Sequence, residues 1–216
     1  MTLPKACIFD LDGVIVDTVP AHFIAWKTVA DELNIPFTEE DIEHLKGVSR
    51  IDSMKRILAL GNMTRTDEEL KELTARKNAI YVDIIAKMTV EDILPGVEDF
   101  IQLLRDNNIA IAIGSSSKNT PTILKAVGLD STFDVVVDGN HVTHSKPDPE
   151  VFLQGAEQLN VAPADCLVLE DAISGLEAAR RGGMKCIGVG DPEILGKADK
   201  VVPSLEKLDI DFLKSL

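Results

Sequence analysis

Short apolar runs recur along the chain at 6–9, 109–113, 135–137, 166–169 and 186–189, each bounded by Asp, Gly or Ser. Unbroken apolar runs of this length are what strands buried on both faces require. Helical periodicity fills the gaps between the later ones. Val97, Phe100, Ile101 and Leu104 share one face, and Thr120-Pro121 opens a helix carrying Ile123, Leu124 and Val127 that stops at Gly128. Asp148-Pro149 begins another, and a third is expected over 171–181, closed by Gly182-Gly183. Strands alternating with helices in this way predict right-handed βαβ units. The fold class is α/β, a Rossmann-like parallel sheet core with helices on both faces.

Residues 19–88 break the alternation, because they carry helical patterns and no convincing strand. Phe23, Trp26, Ala30 and Leu33 line one helix; Ile51, Met54, Ile57 and Leu58 line a second; Leu70, Leu73, Ile80 and Ile84 line a long third. Lys77 falls on that third apolar stripe. The pattern predicts an all-helical cap domain at 19–88 inserted into a core made of 1–18 and 89–216. Two linkers, near 17–22 and 89–95, make a hinged lid plausible, and a lid over a sheet edge excludes water.

With 216 residues the chain can bury a full core, and composition is that of an ordinary globular protein, 45% hydrophobic and 27% charged. Acidic residues number 36 against 22 basic ones, and aromatics are 4%, which argues against a nucleic-acid partner. No apolar run approaches a membrane span, so a cytoplasmic protein without membrane contact is expected. Cys7, Cys166 and Cys186 show no metal spacing and read as buried, reduced thiols. No long exposed apolar stripe demands a partner, so a monomer is expected.

Open parallel sheets bind ligands beyond the carboxyl ends of their strands, and the polar residues that follow each strand are unusual. Asp10-Leu11-Asp12-Gly13 follows the first, Ser115-Ser116-Ser117-Lys118-Asn119 the second, Lys146-Pro147 the third, and Glu170-Asp171 the fourth. Taken singly, each is a turn residue or a helix cap. Together, Asp10, Asp12, Glu170 and Asp171 cannot all remain ionised without a cation, and hard oxygen ligands favour Mg2+. Facing that cluster, Lys146 is suited to hold a phosphate oxygen, with Ser115 and nearby amides as neutral donors. Its other reading is a solvated lysine ahead of a Pro-started helix.

On these residues the sequence resembles the haloacid dehalogenase-like superfamily: IFDLDG at 8–13, Ser115, SKPDPE at 145–150 and LEDAISG at 169–175. The resemblance implies that Asp10 is the nucleophile, taking the phosphoryl group as an aspartyl-phosphate, and that Asp12 is the acid and base. It further implies Mg2+ held by the Asp10 carboxylate, the Asp12 carbonyl and Asp171, with Glu170 close by. Phosphoryl transfer of this kind relies on in-line positioning and charge neutralisation.

Within the insert, Lys46-Gly47-Val48-Ser49-Arg50 resembles the cap signature of the β-phosphoglucomutase family, and the similarity extends to Ser117-Lys118-Asn119, Arg76-Lys77 and His22. This implies that Arg50 and Asn119 grip the phosphate that is not transferred and that Gly47, Val48 and Lys118 line a sugar pocket. His22 and Lys77 would couple closure to catalysis. The substrates implied are sugar phosphates, interconverted by a mutase; a Mg-dependent sugar-phosphate phosphatase is the alternative on the same core. As plain sequence, 46–50 also reads as a charged helix connection, and Lys77 as a lysine snorkelling to solvent. Gly114, Ser116 and His144 depart from the family pattern. Trp26 reads as cap core, and His44, His141 and His144 as surface residues.

Overall fold

The computed structural model describes residues 3–46 and 48–216. Gly47, one of the expected sugar-pocket residues, lies outside the described residues. Six strands, β1 (Ala6–Phe9), β2 (Ala110–Gly114), β3 (Val135–Val137), β4 (Cys166–Glu170), β5 (Lys185–Val189) and β6 (Lys200–Val202), form one sheet in the order β3-β2-β1-β4-β5-β6. Every pairing is parallel. The apolar pattern predicts five of these strands. The sixth, like β3 a three-residue edge strand, begins with Lys200 and so offers only Val201-Val202 in place of an unbroken apolar run.

Helices α1 (Val19–Glu32), α2 (Glu39–Glu43), α3 (Arg50–Leu60) and α4 (Asp67–Ile85) lie between β1 and β2 in the chain. The later helices are α5 (Val97–Asp106), α6 (Thr120–Ala126), α7 (Glu150–Gln158), α8 (Ile173–Arg181), α9 (Pro192–Leu195) and α10 (Ile210–Lys214). Helix α8 begins two residues later than the pattern predicts, because Asp171 belongs to the turn leaving β4.

Strand alternation decides which helices cover which face. Cys7 and Phe9 of β1 point into a cluster with Phe100 and Leu104 of α5 and Ile123 of α6. Ala6 and Ile8 point to the opposite face and pack with Phe152 of α7 and Leu176 of α8. The sheet is therefore covered on both sides, as its uninterrupted apolar strands require.

Between β1 and β2, α1 to α4 bury a cluster of their own around Trp26, Val29, Met54, Ile57 and Leu70. Local sequence sets their starts: Ser49 caps α3 by accepting from the Asp52 amide, and Thr66 with Glu69 forms a capping box at α4. The feet of α1 and α4, including Ala21, Ala25, Tyr81 and Ile85, join the sheet-side cluster instead. The chain segments entering and leaving this insert also meet: Val16 bridges Ile93, and the Leu94 amide donates to the Ile15 carbonyl at 2.9 Å.

Gly114 ends β2 against Phe152 of α7. A Cβ there would stand 2.7 Å from the Phe152 ring and 3.1 Å from Ile8, which explains glycine at this position of the motif. Gly114→Ala is expected to overpack the face and cost about 1–3 kcal/mol, read as a lower midpoint in urea unfolding with an unchanged slope.

Candidate active site

Strands β1 and β4 are adjacent, with Phe9 opposite Leu169, so the residues that follow them meet at one point of the sheet edge. The Asp10 amide continues the ladder by donating to the Leu169 carbonyl at 2.9 Å. Because β2 lies on one side of β1 and β4 on the other, the chain leaves these strand ends in opposite directions and a crevice opens between them. In it, carboxylate oxygens of Asp10, Glu170 and Asp171 lie within 4.8 Å of one another.

Lys146 reaches this cluster from below. Its Nζ donates to Asp10 Oδ1 at 2.6 Å and to Glu170 Oε2 at 3.0 Å, with the side chain 1% exposed. The Phe152 ring lies 4.6 Å beneath the ammonium. Burial works against this charge, but the Asp10 and Glu170 carboxylates outweigh it and hold Lys146 protonated, above the usual lysine range. One ammonium does not balance three carboxylates. Burial and the charge of Asp10 push Glu170 well up, and the same two causes push Asp171 to about 7 despite the relief from Lys46. Gly13, at φ +82°, closes the cradle: a Cβ there would lie 2.3 Å from Asp171 Oδ2. A buried oxygen cluster with excess negative charge fits a hard divalent cation.

Asp12 projects from the same turn toward the insert. Its Oδ1 accepts from the Thr18 hydroxyl, and His22 Nε2 lies 3.9 Å away. Burial and the neighbouring Asp10 charge raise Asp12 to about 6, even though Thr18, Lys146 and Lys77 favour its ionised form. Lys77 Nζ sits 2.9 Å from His22 Nδ1 and packs over the Trp26 and Tyr81 rings at 4.8 and 4.2 Å. At 2% exposure Lys77 does not snorkel to solvent. Burial and the Arg50 charge lower it to about 7, and burial, Lys77 and Arg50 hold His22 well below its ordinary value. A neutral imidazole accepting from Lys77 at Nδ1 carries its proton on Nε2, the nitrogen that faces Asp12.

A cavity of about 430 Å³ separates the strand ends from the insert. Asp10, Asp12, Ser117, Lys118, Asn119 and Asp171 line it from the sheet side. From the insert come His22, Lys46, Val48, Ser49, Arg50 and Lys77. Trp26 belongs to the insert's core and shows the cavity one edge.

Ser115, Lys146 and Glu170 are buried beneath the floor rather than lining it. Ser115 Oγ accepts from the Ser117 amide at 3.0 Å and so shapes the loop, while Ser116, a departure from the family pattern, does line the cavity. Lys46 reaches Glu43 and Asp171, and Arg76 pairs with Glu32 on the outside. Arg50 and Lys118 enter no ion pair among the described residues. His44, His141 and His144 are exposed and the cysteines are buried and free, both as the sequence suggests.

Sequence reading missed Thr18, Tyr81 and Asn78. Thr18 had no local signal. Tyr81 follows Lys77 by one helical turn, and its hydroxyl is buried with no hydrogen-bond partner among the described residues. Asn78 accepts from Asn119 Nδ2 at 2.9 Å, joining α4 to the loop after β2.

A family model for haloacid dehalogenase-like hydrolases matches residues 4–183. The β-phosphoglucomutase of Bacillus subtilis is 43% identical over 97% of this chain and 93% of its own length. A crystal structure of β-phosphoglucomutase from Clostridium difficile superposes with a TM-score of 0.93 at 39% identity, covering 99% of this chain and 96% of that one. A phosphatase of phosphorylated carbohydrates from Thermotoga maritima is more distant, 31% identical over 85% of this chain and 83% of its own. With its strand-end carboxylates and a match along nearly its whole length, the chain belongs to the haloacid dehalogenase-like hydrolase family, in its β-phosphoglucomutase group.

Proposed function

We propose that the protein is a mutase that interconverts β-D-glucose 1-phosphate and D-glucose 6-phosphate through the β-1,6-bisphosphate, using an aspartyl-phosphate at Asp10. The observation that carries this reading is one cavity that brings strand-end carboxylates together with cationic side chains that have no carboxylate partner among the described residues. Asp10 and Asp12 stand where the strands end, while Arg50 and Lys118, free of carboxylate partners among the described residues, come from the insert and the loop after β2. A monophosphatase needs only the first end; a sugar carrying two phosphates needs both. Residues 19–88 act in this reading as a cap that closes the cavity against water.

In one half-reaction Asp12 takes the proton of the C6 hydroxyl as that oxygen attacks phospho-Asp10, giving the bisphosphate. After the sugar turns over, Asp10 attacks the C1 phosphate and Asp12 returns the proton to the departing C1 oxygen, releasing glucose 6-phosphate. An acid and base raised to about 6 holds both forms at accessible population near neutrality. Lys146 and Ser115 support the transferring end, Lys146 by fixing the Asp10 oxygen it contacts. Arg50, whose planar fork suits phosphate, grips the distal end with Asn119, and Val48, Ser49, Ser117 and Lys118 border the sugar. Asp10, Glu170 and Asp171, with the Asp12 carbonyl, are the groups proposed to hold Mg2+. When bound, the ion neutralises charge on the transferring phosphoryl group. The phosphatase reading, favoured by the 31% identical Thermotoga relative, differs only in admitting water as acceptor. No described helix is long and apolar enough to cross a membrane, and we place the enzyme in the cytoplasm.

Purified protein given β-glucose 1-phosphate and Mg2+ is expected to form glucose 6-phosphate with a lag that catalytic 1,6-bisphosphate shortens, and Asp10→Asn to abolish turnover without lowering the melting temperature. Stoichiometric free glucose and phosphate, with no bisphosphate effect, would transfer the assignment to the phosphatase. Arg50→Ala should reduce mutase flux by about tenfold to a hundredfold, the scale of one charge-assisted contact, and spare hydrolysis of acetyl phosphate; equal losses in both assays would remove Arg50 from the distal site.

The raised Asp171 also makes a stability prediction. Its folded-state value of about 7 lies above that of an unfolded aspartate, so the metal-free fold loses stability as pH rises from about 4 through about 7. In chelator, Asp171→Asn should therefore be more stable than wild type at pH 8, by on the order of 1–3 kcal/mol, with the difference vanishing at pH 4. Urea unfolding at the two pH values measures this, and Mg2+ should stabilise only the wild type.

A further inference from the structure

A second cavity, of about 580 Å³, lies behind the active site on the side of the turns after β5 and β6. It shares Asp171, Lys46 and Val19 with the catalytic cavity. Asp17, Glu43, Asp171 and Asp191 line it, and Lys46 is its single cationic side chain. Four carboxylates facing one ammonium in a recess concentrate negative potential, which draws cations and repels phosphates. In the catalytic cavity Lys46, Arg50, Lys77 and Lys118 share the wall with Asp10, Asp12 and Asp171, so cations there offset the carboxylates.

Lys46 stands where the two spaces meet. Its Nζ is 3.0 Å from Glu43 Oε2 and 3.5 Å from Asp171 Oδ2, while its carbonyl accepts from Ser174 Oγ at 3.5 Å. The backbone is thus tied to α8, and the ammonium is shared between a carboxylate of the insert and one of the core. The shorter contact is to Glu43, which is exposed at the end of α2. A divalent cation held by Asp171 would repel an ammonium that lies 3.5 Å from that carboxylate, and Glu43 gives the ammonium a place to go without losing its pairing.

We propose that Lys46 is a resident counter-ion of Asp171, which a divalent cation arriving through the second cavity displaces toward Glu43. The proposal rests on the metal centre proposed above. It makes Lys46 a gate on metal loading, distinct from the sugar contact that its place in the 46–50 motif implies. It also gives the metal-free protein an ion pair between insert and core that metal binding releases, so metal occupancy and seating of the insert are linked.

Calorimetric titration of substrate-free protein with Mg2+, and with Mn2+ followed by its electron spin resonance signal, tests the gate without reference to activity. Lys46→Met and Lys46→Gln, both first checked for a wild-type melting profile, are expected to bind either ion more tightly, by about threefold to tenfold. Lys46→Arg, which keeps the charge, should remain close to wild type. Glu43→Gln should weaken metal binding in the Lys46 protein, because the ammonium then rests on Asp171 alone, and have a smaller effect in the Lys46→Met background. Unchanged or weaker affinity in Lys46→Met and Lys46→Gln, with the wild type binding normally, overturns the gate and leaves the metal centre standing. No binding by wild type and by Lys46→Met alike overturns both.

Discussion

Three carboxylates forced together at the ends of two neighbouring parallel strands are the constraint on which the rest of the site depends. The register of β1 on β4 leaves Asp10, Glu170 and Asp171 no choice of neighbours, and burial makes their mutual repulsion costly. Lys146 is the protein's own partial answer. Its ammonium touches Asp10 and Glu170 but no oxygen of Asp171 within ion-pairing distance among the described residues, and Asp171 remains displaced to about 7. The charge imbalance that makes the metal-free fold less comfortable is the same imbalance that creates affinity for a cation and then for a phosphoryl group. Replacing Asp171 with an amide relieves the metal-free fold and, in the proposed mechanism, removes a carboxylate that holds the cation, the familiar opposition of stability and function at a preorganised site.

The insert supplies a second set of charges, and its design runs the other way. Here the buried group is a lysine, and burial with the neighbouring Arg50 lowers it to about 7. The contact of Lys77 with His22, and of His22 with the Asp12 side, makes a chain of polar groups leading from α4 to Asp12. His22 on α1 and Lys77 on α4 belong to helices whose feet are rooted in the sheet-side cluster, so both are held in place over the strand ends. The insert thereby contributes to the electrostatics around Asp12. Asn78 and Asn119 add a direct bond across the same boundary.

Much of this was legible in the sequence wherever burial and chemistry left a pattern. Strands buried on both faces announce themselves as unbroken apolar runs, and the residues that follow them can then be read as neighbours in space. That is why Asp10, Asp12, Lys146, Glu170 and Asp171 can be gathered from three separate stretches. What periodicity could not reveal was depth. Ser115 and Lys146 are both buried and do not line the cavity; the Ser115 hydroxyl accepts from the Ser117 amide, and the Lys146 ammonium donates to Asp10. Thr18 has no partner in sequence, since its contact with Asp12 arises from the loop's return past Val16. Lys77 sits on an apolar stripe that fits either a snorkelling lysine or a buried one, and only the rings of Trp26 and Tyr81 around it decide between them.

The overall charge of the chain sharpens the meaning of the few cations inside the cavity. At a formal net charge of −14, the molecule repels a sugar phosphate at distances where the whole surface acts as one charge. In physiological salt that repulsion fades over about 8 Å, whereas Arg50, Lys77 and Lys118 act at contact within a partly desolvated space. Long-range steering therefore works against this substrate and in favour of a divalent cation. In the proposed mechanism, recognition of the phosphates therefore rests on short-range contacts with these cationic side chains. A bisphosphate would engage the strand-end residues and Arg50 together, which is the arrangement a mutase requires of its intermediate if it is to keep that intermediate through a turn of the sugar.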